Sequence, residues 1–274
     1  MQDFADFLAK TVGDLGTVDS VNIDQVVFEI RKGSFEATVP AGGFDLKSYD
    51  AIYVRSLRTL GAYISQFAAY HHIPCINDYS RYYSGTKVAQ TLVFLKADVD
   101  FIPTYYAVDN QLLATYMADK VGYPYILKAD NGSQGRSNYL VHSEAEVTEA
   151  LRNEPGVDFI AQEYCPNDRD YRLLIVGDSK LVFERRSTNG THLNNTSMGG
   201  TAAVVEHTVL PPLVVSRAHE LAQELGLTIA GFDVIPKLGT DEFYFLEVNS
   251  QPQLRTGMLL AEKQKLVHDL FASF

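Results

Sequence analysis

Residues 231–254, GFDVIPKLGTDEFYFLEVNSQPQL, contain two apolar runs joined by a glycine-containing turn. The runs are rich in β-branched and aromatic residues, and this pattern predicts a β-hairpin. Asp233 and Glu247 lie equidistant in sequence from Thr240, so a hairpin folded there places the two carboxylates opposite each other. Glu247 and Asn249 are two residues apart and therefore share a face of their strand.

This arrangement predicts a cluster of hard oxygen ligands. Like charges that face each other destabilise a sheet, and a divalent cation between them neutralises the repulsion. Mg²⁺ prefers oxygen and is usually held by one or two carboxylates together with phosphate oxygens. We therefore interpret Asp233, Glu247 and Asn249 as magnesium ligands. The alternative is a set of solvated polar residues near a strand end.

The composition fits a globular chain with room for two domains. The 274 residues are 46% hydrophobic and 11% aromatic, which suits a well-filled core. A net charge of −11 and a pI near 5.0 argue against broad binding to nucleic acid or to anionic membranes, since both rely on basic surface. No stretch approaches the ~18 consecutive apolar residues of a membrane span.

Cysteine usage and the first residues indicate a reduced compartment. Cys75 and Cys165 are too few for a disulfide framework or a zinc site. The opening MQDFADFLAKTVGD lacks a basic region followed by an apolar one, as a targeting segment would have. A cytoplasmic location is the expectation.

Strand and helix patterns alternate along the chain and predict an α/β architecture. Short β-rich runs surround a helical segment at residues 59–71 and form a first unit that ends near Tyr83. Further on, Ser143 with Glu146 three residues later forms a capping-box pattern, which predicts the start of a helix.

A glycine-rich loop follows a predicted strand in LKADNGSQGRSNYLV, residues 127–141, with Lys128 at the strand end. Such a loop can bring backbone N–H groups and a lysine to a polyphosphate, because glycine permits unusual dihedrals and close approach. It is neither a Walker motif nor a dinucleotide fingerprint. The alternative is a hairpin with a polar glycine turn.

Taken in order, four features resemble the ATP-grasp superfamily, and most closely its RimK-like carboxylate–amine ligases. They are the lysine with its glycine loop, a strand ending in AQEY, the acid–arginine pair in DYR, and a distant Asp followed by Glu-x-Asn. The resemblance covers nearly the whole chain, although the N-terminal unit matches loosely. It implies a two-lobe fold of mixed α and β structure. Residues 1–84 are expected to form a small α/β pre-ATP-grasp domain, and residues 85–274 an ATP-grasp domain whose lobes divide at about residue 160.

The resemblance also implies which residues hold ATP. The positions matched to phosphate-contacting groups are Lys87, Lys128, Gly132, Ser133, Gln134 and Gly135. Those matched to the adenine-reading hinge are Gln162, Glu163, Tyr164 and Cys165, and Asp170 matches the acid that binds ribose hydroxyls. The alternatives are ordinary surface lysines, a plain strand end, and a local ion pair between Asp170 and Arg172.

Arginines in two strands resemble the basic residues near the phosphates and the acyl intermediate. They are Arg172 and one of Arg185 and Arg186. The planar fork of arginine binds phosphate or carboxylate in two places. Because adjacent residues of a strand face opposite ways, only one of Arg185 and Arg186 can line the cleft.

The loop THLNNTSMGGTAA, residues 191–203, departs from the family pattern. Asn195 is retained and is expected to be catalytic, but Leu193 and Met198 stand where RimK-like enzymes usually carry arginines. Two positive charges are thereby lost near the acceptor, which argues against acidic amino-acid substrates. The residues that can compensate are Arg55, Arg58 and Arg255, and His192 is either a polar replacement or simply solvated.

The function implied by the resemblance is ATP-dependent ligation of a carboxylate to an amine through an acyl phosphate, giving ADP and phosphate. ATP and one or two Mg²⁺ ions are the expected cofactors, with Mn²⁺ as a substitute. The expected substrates are small-molecule or peptide carboxylates and amines. Self-association into a homo-oligomer is an expectation, whereas binding to nucleic acid or to a membrane is not expected. The alternatives are a kinase that phosphorylates a hydroxyl, a non-catalytic nucleotide-dependent binding protein, and a purely structural α/β protein.

Overall fold

The structure is a computed structural model, and it describes residues 2–40, 42–57, 59–82, 85–131, 137–186, 201–205 and 209–274. Within these ranges, no helix combines the length and the apolar character needed to cross a membrane.

The N-terminal part mixes helices with short strands. Its elements are α1 (Gln2–Val12), β1 (Val27–Arg31), β2 (Ser34–Val39), β3 (Phe44–Asp45), β4 (Ile52–Tyr53), α2 (Thr59–Tyr70) and β5 (Cys75–Ile76). The strands β1, β2 and β3 form an antiparallel sheet. The strands β4 and β5, which precede and follow α2 in the chain, pair with each other in parallel. A helix between two parallel strands is the α/β unit that the sequence predicts for this region.

The middle of the chain forms a four-stranded antiparallel sheet. Its elements are α3 (Lys87–Lys96), β6 (Thr104–Tyr106), α4 (Asn110–Lys120), β7 (Tyr125–Ala129), β8 (Asn138–Val141), α5 (Glu144–Asn153) and β9 (Phe159–Glu163). The strand order is β6-β9-β7-β8, and α4 and α5 pack on this sheet through Met117 and Val147. Ser143 caps α5 by accepting from the Glu146 N–H, as predicted, while Glu146 accepts from the N–H of His142.

The C-terminal part is built on a larger sheet. Its elements are β10 (Asp170–Val176), β11 (Ser179–Arg186), β12 (Thr201–Val205), α6 (Pro212–Glu224), β13 (Ile229–Pro236), β14 (Phe243–Asn249) and α7 (Leu260–Phe271). The strand order is β12-β11-β10-β13-β14, with antiparallel pairing throughout. One face packs against α6 and α3, and the other packs against α7 and α1.

Two features join the N-terminal residues to the large sheet. The helix α1 packs through Phe7, Leu8 and Val12 on the same face as α7, a contact that the sequence did not reveal. Asn77, which follows β5 and is fully buried, bonds both backbone groups of Ile229 and the carbonyl of Ser250. These contacts fix the N-terminal residues against β13 and the end of β14. The division into a domain at 1–84 and a two-lobe domain at 85–274 stays a prediction.

Candidate functional site

The hairpin of β13 and β14 has the predicted register at its polar residues. Asp233 pairs with Glu247, and Gly231 pairs with Asn249. Toward the turn the register shifts by one residue, because Leu246 is an extra residue in β14 that forms a β-bulge. Asp233, Glu247 and Asn249 therefore lie on one face of the sheet, as the sequence predicts.

Two arginines hold the Asp233 carboxylate. From the neighbouring strand β10, Arg172 donates through Nε and Nη2 to both carboxylate oxygens, each at 2.6 Å. Arg185 Nη2 lies 3.0 Å from Asp233 Oδ2. Burial works against ionisation of Asp233, but the two arginines outweigh it and lower the pKa to about 2. Asp233 is thus charged at neutral pH.

Asp170 pairs with Arg185, whose Nε donates to its carboxylate at 2.5 Å. Both residues are buried, and burial raises the pKa of Asp170 to about 6 although Arg185 opposes the shift. The local pair of Asp170 with Arg172 considered from the sequence is wrong. Strand register explains this, because it sets Asp170 opposite Arg185 and Arg172 opposite Asp233. The ribose-binding role of Asp170 stays a prediction.

Of the three acids Asp170, Asp233 and Glu247, Glu247 has the fewest side-chain partners. Among the residues that the structure describes, it forms no salt bridge. With its amide oriented to suit its neighbours, Asn249 donates to Glu247 Oε1 at 3.3 Å and accepts from Arg172 Nη2 at 3.2 Å. Burial and the neighbouring Asp233 raise the pKa of Glu247. A cation near Glu247 would therefore favour its charged form.

These three side chains fit a hard divalent cation. Each carboxylate oxygen can accept more than one bond, so Asp233 retains acceptor capacity beside Arg172 and Arg185. Glu247 offers oxygens that no arginine or lysine occupies within the described ranges, and Asn249 supplies an amide oxygen. Such an all-oxygen set suits Mg²⁺. Their role as ligands stays a prediction.

Two buried lysines approach this acidic hairpin. Lys87 is the first residue of α3 and Lys128 lies in β7, and their exposed fractions are 9% and 8%. Burial and the charge of Lys87 lower the pKa of Lys128 to about 8, while Glu247 and Asp233 act in the opposite direction. Burial also lowers the pKa of Lys87. Burial of two neighbouring cations is costly, and an anionic ligand such as a polyphosphate would offset that cost.

The helix α3 connects these lysines to the acidic hairpin through residues that the sequence analysis missed. At its start, the backbone N–H of Lys87 and of Val88 bond Asp130, which follows β7. One turn later, Gln90 Oε1 accepts the backbone N–H of Val248 at 3.0 Å. Val248 separates Glu247 from Asn249 and lies on an edge strand, so Gln90 fixes the lysine helix against the predicted metal ligands. No local pattern in the sequence marks Gln90 for this contact.

The residues predicted to form the adenine-reading hinge lie at and just after the end of β9. Gln162 donates to Thr104 Oγ1 at 2.7 Å, and Glu163 accepts from the Tyr105 hydroxyl at 2.9 Å. Their side chains therefore tie β9 to β6. Tyr164 and Cys165 follow the strand and are half-buried. Whether their backbone reads adenine stays a prediction.

Arg185 and Arg186 face opposite ways, as the strand pattern predicts. Arg185 is 6% exposed and points to the acids, whereas Arg186 pairs with Glu184 and Asp168 on the outer side. Arg185 is thus the one that faces the site. The remaining candidates, Gly132, Ser133, Gln134, Gly135 and Asn195, lie outside the described residues.

Comparison with known proteins identifies the family. The model of the RimK-like ATP-grasp domain matches residues 86–265. The chain belongs to the RimK-like ATP-grasp family. A probable alpha-L-glutamate ligase from Xanthomonas euvesicatoria pv. vesicatoria (strain 85-10) is 31% identical to this RimK-like protein over 228 residues, which cover 80% of the chain and 71% of the relative. A protein of the same description from Cellvibrio japonicus (strain Ueda107) is 28% identical over 227 residues.

Solved structures show the same fold over almost the whole chain. Macrocyclase MdnC of Microcystis aeruginosa MRC, bound with the precursor peptide MdnA, superposes with a TM-score of 0.69 at 14% identity and covers 99% of this chain and 96% of that one. A RiPP-associated ATP-grasp ligase of Chryseobacterium gregarium, in complex with ADP and a leader and core peptide, gives 0.69 at 14% identity and covers 98% and 93%. The RimK-like protein therefore has the ATP-grasp fold. With its family, this makes it an ATP-dependent ligase that joins a carboxylate to an amine.

Proposed function

We propose that this RimK-like protein activates a substrate carboxylate as an acyl phosphate and transfers the acyl group to the amine of an amino acid, with L-glutamate as the first candidate. The candidate comes from the relatives described as probable alpha-L-glutamate ligases, and it requires positive charge from elsewhere in the chain, because Leu193 and Met198 do not supply it. The carboxylate and the amine would be borne by small molecules or peptides.

The chemistry has two balanced steps. A carboxylate oxygen of the first substrate attacks the γ-phosphorus of ATP, the bond to the β–γ bridging oxygen breaks, and ADP leaves. The amine nitrogen then attacks the acyl carbon, the bond to the phosphate oxygen breaks, and phosphate leaves while the nitrogen loses a proton. The protein forms no covalent bond in either step.

The residues of the chain would act mainly by binding and orienting charge. Lys87 and Lys128 are assigned to the phosphates of the nucleotide, and Arg172 and Arg185 to the transferred phosphoryl group and the acyl phosphate. Fixed positive charges aimed at developing negative charge typically contribute several kcal/mol each. Exclusion of water protects the acyl phosphate from hydrolysis.

Magnesium would be held by Asp233, Glu247 and Asn249, where it supplies charge neutralisation to the phosphate oxygens. One or two ions are expected. Mn²⁺ is proposed as a substitute because it also accepts carboxylate and carbonyl oxygen ligands.

One observation supports the proposal most directly. Lys87 in α3, Lys128 in β7, and Asp233 and Glu247 in the hairpin of β13 and β14 come from three separate parts of the chain, yet both acids and Lys87 act on the pKa of Lys128. Burying charged groups costs desolvation free energy, so a buried cluster of lysines and facing acids is unfavourable for the stability of the fold. A triphosphate with its metal satisfies both signs of charge at once.

Trapping with hydroxylamine tests the acyl phosphate. The protein is incubated with Mg²⁺, ATP, N-acetyl-L-glutamate or a peptide with a C-terminal glutamate as carboxylate donor, and hydroxylamine as the amine. We expect a hydroxamate in a one-to-one ratio with ADP, measured by mass spectrometry. ADP without hydroxamate, together with a phosphorylated hydroxyl in the product, would instead support the kinase alternative.

A further inference from the structure

A buried lysine outside the assigned site lies on the same face of the large sheet. Lys263, in the first turn of α7, is only 5% exposed. Its ammonium donates to the backbone carbonyl of Thr256 at 3.0 Å and lies 5.2 Å from the centroid of the Phe183 ring. Within the described ranges, no carboxylate forms an ion pair with it. The ammonium therefore keeps donor capacity beyond its bond to Thr256, and among the described residues its charge faces an aromatic ring but no anion.

The surroundings of Lys263 make its charge unfavourable in the free protein. Burial, and next the positive charge of Arg172, lower its pKa. Lys265, two residues further along α7, is by contrast exposed and pairs with Asp269 at 2.6 Å. A buried cation with no anion is costly, and a bound anion removes that cost.

The position of Lys263 connects it to the ligase site. Phe183, under its ammonium, lies two residues before Arg185 in β11, so both side chains leave the same face of the sheet. Thr256 belongs to the loop that follows Asn249 and leads into α7. Lys263 thus lies at the border of the predicted ligase site. It is near Arg172 and contacts the loop that follows the predicted magnesium ligands.

Two of the three arginines considered as replacements for the lost loop charges are engaged elsewhere. Arg55 stacks 3.7 Å over the Phe4 ring and donates to the Tyr53 hydroxyl at 3.1 Å. Arg255 pairs with Asp3 of α1 at 2.9 Å on the surface. Arg58 lies outside the described residues.

We propose that Lys263 binds a carboxylate of the amino-acid substrate and supplies the positive charge that Leu193 and Met198 do not provide. The ligand class is an amino acid with a free carboxylate, and the contact is a charge-assisted hydrogen bond from the ammonium. This inference rests on the proposed function, because it assigns the amine substrate of the same site.

Calorimetry on the full chain tests the contact directly. Wild type, Lys263→Met and the control Lys265→Met are titrated with L-glutamate in the presence of Mg²⁺ and a non-hydrolysable ATP analogue. The two amides, L-glutamine and L-isoglutamine, serve as probes that each lack one carboxylate. Methionine fills the buried position without the charge, and Lys263→Gln, which keeps a donor for Thr256, separates loss of the charge from loss of that hydrogen bond.

We expect Lys263→Met and Lys263→Gln to weaken L-glutamate binding by about 10- to 100-fold, with nucleotide affinity unchanged. One of the two amides should bind wild type as weakly as L-glutamate binds the Lys263 variants, and those variants should no longer distinguish it from L-glutamate. Lys265→Met should bind as wild type does. Wild-type affinity in Lys263→Met, or no L-glutamate binding by the wild type, overturns the inference.

Hydroxamate trapping on the same preparations separates the two claims. Hydroxamate formation by the wild type with unchanged L-glutamate binding by Lys263→Met rejects only the assignment of Lys263. L-glutamate binding that depends on Lys263, without any hydroxamate, rejects only the acyl-phosphate mechanism.

Discussion

Arg172 and Asp233 face each other on neighbouring strands and form a bidentate ion pair, in which Arg172 Nε and Nη2 each lie 2.6 Å from one carboxylate oxygen of Asp233. This pair neutralises part of the charge of Asp233, although Asp233 still raises the pKa of Glu247. Glu247 forms no salt bridge among the described residues, so we predict that it is the acid whose charge depends on a bound cation. The two carboxylates therefore differ in their partners although the hairpin places them opposite each other.

The first prediction concerns Glu247. Replacing it with glutamine keeps the shape but removes the charge that a magnesium ion would require, so we expect turnover to fall by about 100- to 1,000-fold with the fold retained. ADP release measured against Mg²⁺ concentration checks this. Glu242→Gln is the matched control, since Glu242 lies at the exposed end of the same hairpin and pairs with Lys237. Undiminished ADP release by Glu247→Gln would remove Glu247 from the metal site.

The second prediction separates stability from activity at Lys128. In the folded protein its pKa is lowered to about 8, mainly by burial, so the protonated lysine destabilises the fold at pH 7. Lys128→Met should raise the free energy of unfolding at pH 7 by about 1–3 kcal/mol while it abolishes ATP-dependent turnover. Urea denaturation and ADP release measure the two effects, with Lys120→Met at an exposed position of α4 as the control.

The same variant has a signature in pH. Above pH 8 the folded protein has released the Lys128 proton, whereas the unfolded chain keeps it up to its ordinary pKa of 10.5. The unfolded state then binds more protons, so the stability of wild type relative to Lys128→Met should rise between pH 7 and pH 9.5. A difference that stays constant over this window would contradict the burial of a charged Lys128.

The sequence predicted the elements of this site better than their connections. The helix start at Ser143 and the pairing of Asp233 with Glu247 are confirmed, because the first follows from a local capping pattern and the second from the position of one turn. The ion pairs were not predictable, because they depend on the register between β10, β11 and β13. The short spacing in DYR suggested an ion pair between Asp170 and Arg172. The observed pairs instead join residues that face each other across strands, Asp170 with Arg185 and Arg172 with Asp233.

Long-range contacts of polar side chains were also beyond the sequence. Gln90 bonds Val248, and their positions differ by 158 residues, so no local pattern marks the contact. The packing of α1 on the face that holds α7 joins the two ends of the chain in the same way. Gln90 and the apolar residues of α1 are of types common on any helix, so nothing in the sequence marks them as long-range contacts.

The third prediction tests the link made by Gln90. Gln90→Leu leaves the buried N–H of Val248 without its acceptor, which should cost about 1–3 kcal/mol in the free energy of unfolding. Gln90→Glu keeps an acceptor oxygen and should recover part of the stability. Because α3 also carries Lys87, we expect Gln90→Leu to raise the Mg²⁺ concentration needed for half-maximal ADP release. A variant that loses stability with an unchanged Mg²⁺ dependence would limit Gln90 to a structural role.

The last prediction concerns Asn77, which holds the N-terminal residues against the large sheet. Its amide makes three hydrogen bonds of 2.8–3.0 Å to Ile229 and Ser250, and its backbone adopts a φ of +60°, which glycine tolerates and alanine does not. Asn77→Ala should lower the free energy of unfolding by about 3–5 kcal/mol, and Asn77→Gly by less, since both lose the hydrogen bonds but only alanine adds backbone strain. Urea denaturation compares the two variants. Because Ser250 directly follows Asn249, Asn77→Gly should also weaken Mg²⁺-dependent turnover at temperatures where the protein stays folded, and wild-type turnover under those conditions would show that the end of β14 is positioned without Asn77.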